Sequence, residues 1–272
     1  MEDVYIVAVI YVCYKLLDSA VLYVKYSRSN YGCDSDNSFL KVVSNRACKA
    51  EFLIYRILEG LHGNNKILTN LYISKADGSM VEIELVMINR AGVYVIESKD
   101  KSATISGNKN DIVWTNSRIT RYSGSKRVRI QRFLNPIIQN KRHIEAIREV
   151  LGGRPVDMFS YIVWGNPGFF HTDFMDTSDT VIIRRKELKY SLEDDLLSRP
   201  EVLTEYEVEE IYKMLECYTH ADSETKKAYK RLAKKHLPAA FKETRGTKIW
   251  KNFFFLLIFI FFISYLVHLY FI

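Results

Sequence analysis

Val81 to Lys99 reads VEIELVMINRAGVYVIESK, two short apolar runs joined by a turn. Side chains alternate between faces along a strand. Glu82 and Glu84 therefore share a face of the first run, and Glu97 and Lys99 share a face of the second. Asn89 to Gly92 supplies the turn chemistry. Acids and a lysine at the ends of otherwise apolar strands have two readings. One is a polar site built on a rigid sheet; the other is an edge hairpin with a solvated charged end.

Working outward, Asn45 to Leu61 has helical spacing, with Phe52, Leu53, Ile57, Leu58 and Leu61 apolar. Glu51 near its start either complements the helix dipole or points towards the site. Lys66 to Ser74 reads as a strand, and Asp77-Gly78 marks a hairpin turn before the quoted stretch. Ala103 to Gly107 and Asp111 to Thr115 read as further short strands, with Trp114 a core or edge aromatic. Helix, then antiparallel meander, then helix predicts an α/β or α+β sandwich.

Arg118 to Arg132 is basic, with Lys126, Arg127, Arg129 and Arg132 towards its end. On a strand, Arg127, Arg129 and Gln131 share a face, which suits phosphates, anionic lipid or simple solvation. Asn135-Pro136 opens the next helix, with proline in the first turn. Gln139 and His143 lie four apart on it. Gln139 holds a substrate or water or is a surface amide, and His143 reads as structural. Met158 to Trp164 and Thr180 to Ile183 are strands, and the loop between them holds His171 and Asp173 without metal-ligand spacing. Leu192 to Leu237 reads as helical, broken near Pro200 and restarted by a Thr204–Glu207 capping box. Its basic run, Lys226 to His236, is a solvated face or a contact with acidic lipid.

The ends have a different character. Phe253 to Ile272, FFFLLIFIFFISYLVHLYFI, is uncharged apart from His268 and long enough to span a bilayer. Lys242, Arg245, Lys248, Trp250 and Lys251 precede it, a basic and aromatic flank of cytoplasmic type. Val4 to Tyr26 is apolar but interrupted by Lys15 and Asp18, which can pair on one helical face. It reads as a second membrane helix, against an amphipathic surface helix or a cleaved signal. Lys25 and Arg28 follow it, so both ends give the same topology, with termini outside and the main domain cytoplasmic at a cell membrane. The polar stretch from Tyr26 to Phe39 reads as a juxtamembrane linker.

The chain has 272 residues and a net charge of +7, which favours anionic partners, nucleic acid or membrane lipids. Four scattered cysteines show no zinc-ligand spacing and no disulfide framework, which suits a reducing compartment. No ATP-binding loop is recognisable.

The helix with Glu51, then ILTNLYI, EIELVMINRAGVYVIESKD, Gly107, Trp114 and NPIIQNKRHI together resemble the nuclease-related domain family, NERD. The resemblance runs from about Asn45 to Ile183. Glu97-Ser98-Lys99 takes the place of the E-x-K element of the PD-(D/E)xK restriction-endonuclease-like superfamily. The resemblance implies an α/β fold, a restriction-endonuclease-like mixed β-sheet core flanked by helices, here with terminal transmembrane helices. The expected layout is an N-terminal transmembrane helix over 1–26, a linker over 27–44 and the nuclease-like domain over 45–185. A helical extension over 186–248 and a C-terminal transmembrane helix over 249–272 complete it. It also implies hydrolysis of phosphodiester bonds in DNA or RNA with Mg2+ (or Mn2+). Glu84, Glu97 and Glu51 would hold the metal, with the Ser98 carbonyl. Lys99 would orient the attacking water and steady the phosphate, Gln139 would assist, and Lys126, Arg127 and Arg129 would meet nucleic acid. The family usually has aspartate where this sequence has Glu84. That departure leaves an alternative: a catalytically weak or inactive NERD protein acting as a nucleic-acid-binding or membrane scaffold.

Overall fold

The computed structural model describes residues 2–75, 77–100, 104–122, 125–165, 169–170 and 179–236. In chain order the elements are α1 (Glu2–Ser27), α2 (Tyr31–Ser35), α3 (Phe39–Ser44), α4 (Arg46–Glu59), β1 (Lys66–Ser74), β2 (Met80–Asn89), β3 (Gly92–Lys99), β4 (Thr104–Ser106), β5 (Val113–Tyr122) and β6 (Ser125–Leu134). They continue with α5 (Pro136–Val150), β7 (Met158–Trp164), β8 (Phe169–Phe170), β9 (Thr180–Arg184), α6 (Arg185–Ser198), α7 (Glu205–Glu216) and α8 (Ser223–His236).

Leu85, Val86, Met87 and Ile88 are consecutive and all fully buried. A strand buried on both faces must lie inside a sheet covered on both sides. β2 does so, in a five-stranded sheet of order β1-β2-β3-β7-β9. On one face Leu85, Met87, Tyr94 and Ile96 pack with Phe52, Tyr55 and Leu58 of α4 and with Leu188 and Leu192 of α6. On the other, Val86, Ile88, Val93 and Val95 pack with Ile144 and Ile147 of α5 and with Val208, Ile211 and Leu215 of α7. Each such side chain contributes about 1.5–3 kcal/mol on burial, so the three-layer core fixes which residues β2 and β3 leave for chemistry.

The expected antiparallel meander is divided between two sheets: β1, β2 and β3 pair antiparallel in one, and β4, β5 and β6 in the other. β3 then pairs parallel with β7, and β7 with β9, so the main sheet is mixed. The chain between β3 and β7, joined by β8 from just beyond β7, makes a second sheet, order β6-β5-β4-β8. Trp114 of β5 and Trp164 of β7 stack there at 6.4 Å and 11°. The basic segment is not one strand but is split between β5 and β6, which pair from Val113↔Leu134 to Tyr122↔Ser125. The β2–β3 turn needs its glycine: Gly92 has φ +143°, and a Cβ there would run into the Asp157 carbonyl.

Strict alternation fails at one point, and the site is built there. Ile83 packs with Val86 and Ile88 rather than with Leu85. Opposite it, Asn70 of β1 takes a left-handed φ of 53°. The ladder passes from Thr69↔Leu85 to Leu71↔Ile83 without pairing Asn70. This kink re-aims the side chains on either side of it, so Glu84 and Val86 do not share a face as simple alternation predicts.

The N-terminal expectations are corrected in two respects. The stretch expected as a linker folds into α2 and α3, with Tyr31 and Val42 fully buried. Tyr26 and Phe52 rings meet at 5.8 Å, and the Tyr26 hydroxyl donates to the Asn37 carbonyl at 2.7 Å, so aromatic packing seats α1 on α4. Lys15 and Asp18 do not pair. Lys15 Nζ lies over the Tyr11 and Tyr14 rings, and Asp18 Oδ2 is 3.8 Å from Lys49 Nζ. Residues 4–26 form a helix as expected, but among the described residues no helix is long and apolar enough to cross a membrane. The predicted C-terminal span, its basic flank, and His171 with Asp173 lie outside the described residues.

Candidate active site

β3 ends on Glu97, Ser98 and Lys99, beside the Glu84 end of β2. Glu97 is 0% exposed, and the Lys99 side chain is 15% exposed. Lys99 Nζ donates to Glu97 Oε1 and, at 3.0 Å, to Gln139 Oε1 on α5. The Ser98 N–H donates to Glu84 Oε2 at 2.8 Å. Glu84, Glu97, Lys99 and Gln139, predicted from separate segments, therefore meet. Glu82, predicted to share the Glu84 face, accepts from the Tyr72 hydroxyl.

Gln139 is placed by the start of α5. Asn135 accepts from the Ile137 N–H at 2.9 Å and donates to the carbonyls of Lys109 at 2.9 Å and Asp111 at 2.7 Å. One side chain thus caps the helix and ties it to the approach of β5. One turn beyond Gln139, His143 Nδ1 lies 3.5 Å from Glu97 Oε2. Sequence reading left His143 as structural, but it belongs to the wall of the site.

α4 brings Glu51 in from the other layer. The Tyr31 hydroxyl donates to Glu51 Oε1 at 3.0 Å, and Asn37 Nδ2 donates to the Tyr31 oxygen at 2.8 Å. Lys41 Nζ in turn donates to Asn37 Oδ1. Tyr31, Asn37 and Lys41 were missed because they come from the supposed linker. The buried Tyr31 and the polar run around it were the available signal.

The charges are crowded. Burial, then Glu97, push the Glu84 carboxyl well above the usual range, and Lys99 opposes them. Burial raises Glu51 to about 7, against the hydrogen bond from Tyr31. Burial also raises Glu82. For Lys99, burial pulls the value down, but Glu97 and Glu84 outweigh it and hold the ammonium above its ordinary value. Burial lowers His143, favouring its neutral form.

The donor set fits a hard divalent cation in kind: Glu84 and Glu97 carboxylates with the Ser98 carbonyl, all oxygen. Glu97 Oε2 is buried and has no hydrogen-bond partner among the described residues, and the mutual repulsion of Glu84 and Glu97 is what a cation relieves. No group of three His, Cys, Asp or Glu side chains is assembled for a metal among the described residues.

The predicted basic contacts lie elsewhere, on the β5–β6 ribbon. Arg129 is exposed and sits directly opposite Arg118. Lys126 stands opposite Arg121, and Arg127 opposite Thr120; the side chains of Lys126 and Arg127 lie outside the described residues. A cavity of about 320 Å³ lined by Asn30, Asp34, Tyr55, Glu59 and Tyr212 among others shares no residue with the carboxylate cluster.

No curated protein and no solved structure matches the chain. Residues 47–165 match the family model of the nuclease-related domain, NERD. That span holds Glu51, Glu84, Glu97, Lys99 and Gln139, and it excludes Tyr31, Asn37 and Lys41. Over residues 47–165 the chain is similar to the nuclease-related domain, NERD, a match consistent with the restriction-endonuclease-like superfamily.

Proposed function

We propose that this protein is a membrane-anchored, divalent-metal-dependent nuclease that hydrolyses phosphodiester bonds in DNA or RNA. One observation carries the reading: Lys99 is clamped between Glu97 and Gln139, while Glu84 is held to the Ser98 N–H beside them. Lys99 stays charged in that clamp. It therefore acts as a cation that steadies a phosphate oxygen and orients water, not as a base. Gln139 fixes the ammonium's direction. Glu84 and Glu97, with the Ser98 carbonyl, would hold Mg2+ or Mn2+, with Glu51 binding directly or through water. When bound, the cation lowers the pKa of its water and stabilises charge on the leaving oxygen. The like-charged pair Arg118↔Arg129 is unfavourable by itself, which supports an anionic partner along the ribbon.

Anchoring is supported by composition and exposure. Ile6, Ile10, Leu16, Leu17, Val21 and Val24 of α1 are exposed, and the sequence ends in an uncharged apolar run. The reading is tested with the full chain in detergent micelles, on single- and double-stranded DNA and RNA. Cleavage is expected with Mg2+ or Mn2+, absent in EDTA, and lost on Lys99→Ala. Wild-type turnover no higher than that of Lys99→Ala removes it.

A second reading is a scaffold that keeps the fold without chemistry. It is favoured by glutamate at position 84 and by the absence of a three-ligand group among the described residues. It expects salt-sensitive nucleic-acid binding without turnover, with Glu84→Asp bringing cleavage up.

A further inference from the structure

We propose that the site takes single-stranded nucleic acid, and that Tyr229 is the side chain on which a base next to the held phosphate stacks. The proposal rests on the reading of Glu84, Glu97 and Lys99 as the phosphate-handling end of the site.

The observations come from α8, outside the family match. α8 packs on β1 and β2. Its Tyr229 ring meets the Tyr72 ring edge to face, centroids 5.8 Å apart at 76°. Tyr72 is itself tied by its hydroxyl to Glu82, so the pair stands at the edge of the carboxylate cluster. Burial, with smaller contributions from Glu82, Glu97 and Glu84, raises the Tyr229 hydroxyl. The ring remains partly exposed. On the same helix Lys227, Lys230 and Arg231 are exposed, and Lys230 is near enough to Glu82 to favour its charged form.

Carboxylates, an aromatic pair and a run of cations thus follow one another. That is the composition of a single-strand path, in which bases stack on aromatic faces and cations follow the backbone. Glu97 is fully buried and the Lys99 side chain is 15% exposed, so little of this end of the site is open to solvent. A duplex keeps its bases stacked inside and offers none to Tyr229 unless it is first unpaired.

The test uses the full chain in detergent micelles with EDTA. Fluorescence anisotropy measures binding of an oligodeoxythymidine strand and of a duplex of equal length. The single strand is expected to bind at least about tenfold tighter than the duplex. Tyr229→Leu, which keeps an apolar side chain but removes the ring, should weaken single-strand binding by about tenfold. Tyr229→Phe, which keeps both packing and π face, should bind like wild type. Equal or tighter duplex binding overturns the proposal, as does unchanged single-strand binding by Tyr229→Leu. If Tyr229→Leu instead weakens binding to phosphatidylserine vesicles and leaves strand binding intact, α8 is a lipid face and the proposal falls. The assay needs no turnover. A Tyr229-dependent strand preference without cleavage upholds this proposal while removing the nuclease reading. Metal-dependent cleavage that ignores Tyr229 and strandedness does the reverse.

Discussion

Glu51 carries a buried carboxyl held at about 7 against an ordinary 4.5. A carboxyl raised in the folded state binds its proton more tightly there than in the unfolded chain. Its favourable contribution is complete below the unfolded value and is lost as pH rises through the folded one. In metal-free protein Glu51→Gln, uncharged at every pH, is therefore expected to be more stable than wild type at about pH 8. At about 1.4 kcal/mol per unit the gain is roughly 3 kcal/mol, shrinking towards pH 5. Chemical unfolding at the two pH values checks this, and identical pH dependence of the two proteins contradicts it. Lys99→Ala has a different cost: it strands Glu97 in the interior, with a loss of about 3–5 kcal/mol, read in the same unfolding experiment. Glu84, Glu97, Lys99 and Gln139 were legible because acids and a lysine at strand ends, and an amide one turn into a proline-opened helix, are local signals. Tyr31, Asn37 and Lys41 were not legible, because the polar run that holds them reads as a linker; Tyr31 meets Glu51, and Asn37 and Lys41 follow it in a chain of hydrogen bonds.

Among the elements, β1, β2, β3, α4 and α5 were readable from periodicity, turn residues and caps. The Thr204 hydroxyl receives the Glu207 N–H at 3.2 Å, and the Glu207 carboxylate returns to the Thr204 N–H at 2.8 Å, so the capping box fixes the start of α7. The β5–β6 ribbon was not readable as two strands. Its charged residues hide the alternation that pairing imposes, and its apolar Ile119, Val128 and Ile130 are exposed rather than buried. Parallel pairing of β3 with β7 is long-range and leaves no trace in either strand alone. Asn135 is where these elements are joined, since it caps α5 and holds the Lys109 and Asp111 carbonyls. Asn135→Ala removes the cap and leaves those carbonyls without it, an expected loss of about 3 kcal/mol. Urea unfolding checks it; a loss below about 1 kcal/mol means the junction is held by other contacts.

Over the whole molecule, the NERD span of 47–165 does not complete the site by itself. The Glu51 network needs residues from α2 and α3, and those helices are held by the aromatic contacts of α1. An N-terminal deletion that starts beyond Tyr31 is expected to lower stability as well as remove α1, which separates this arrangement from a flexible tether. In vesicle flotation the full chain is expected to rise with lipid, and a chain lacking both apolar ends to stay at the bottom of the gradient. The most direct measurement is nucleic-acid cleavage by the purified full chain with Mg2+ or Mn2+, run beside EDTA and Lys99→Ala. Metal-dependent turnover reduced at least about a hundredfold by Lys99→Ala is the expected result. Wild-type and Lys99→Ala proteins that are both folded and equally inactive with either metal would contradict the nuclease reading.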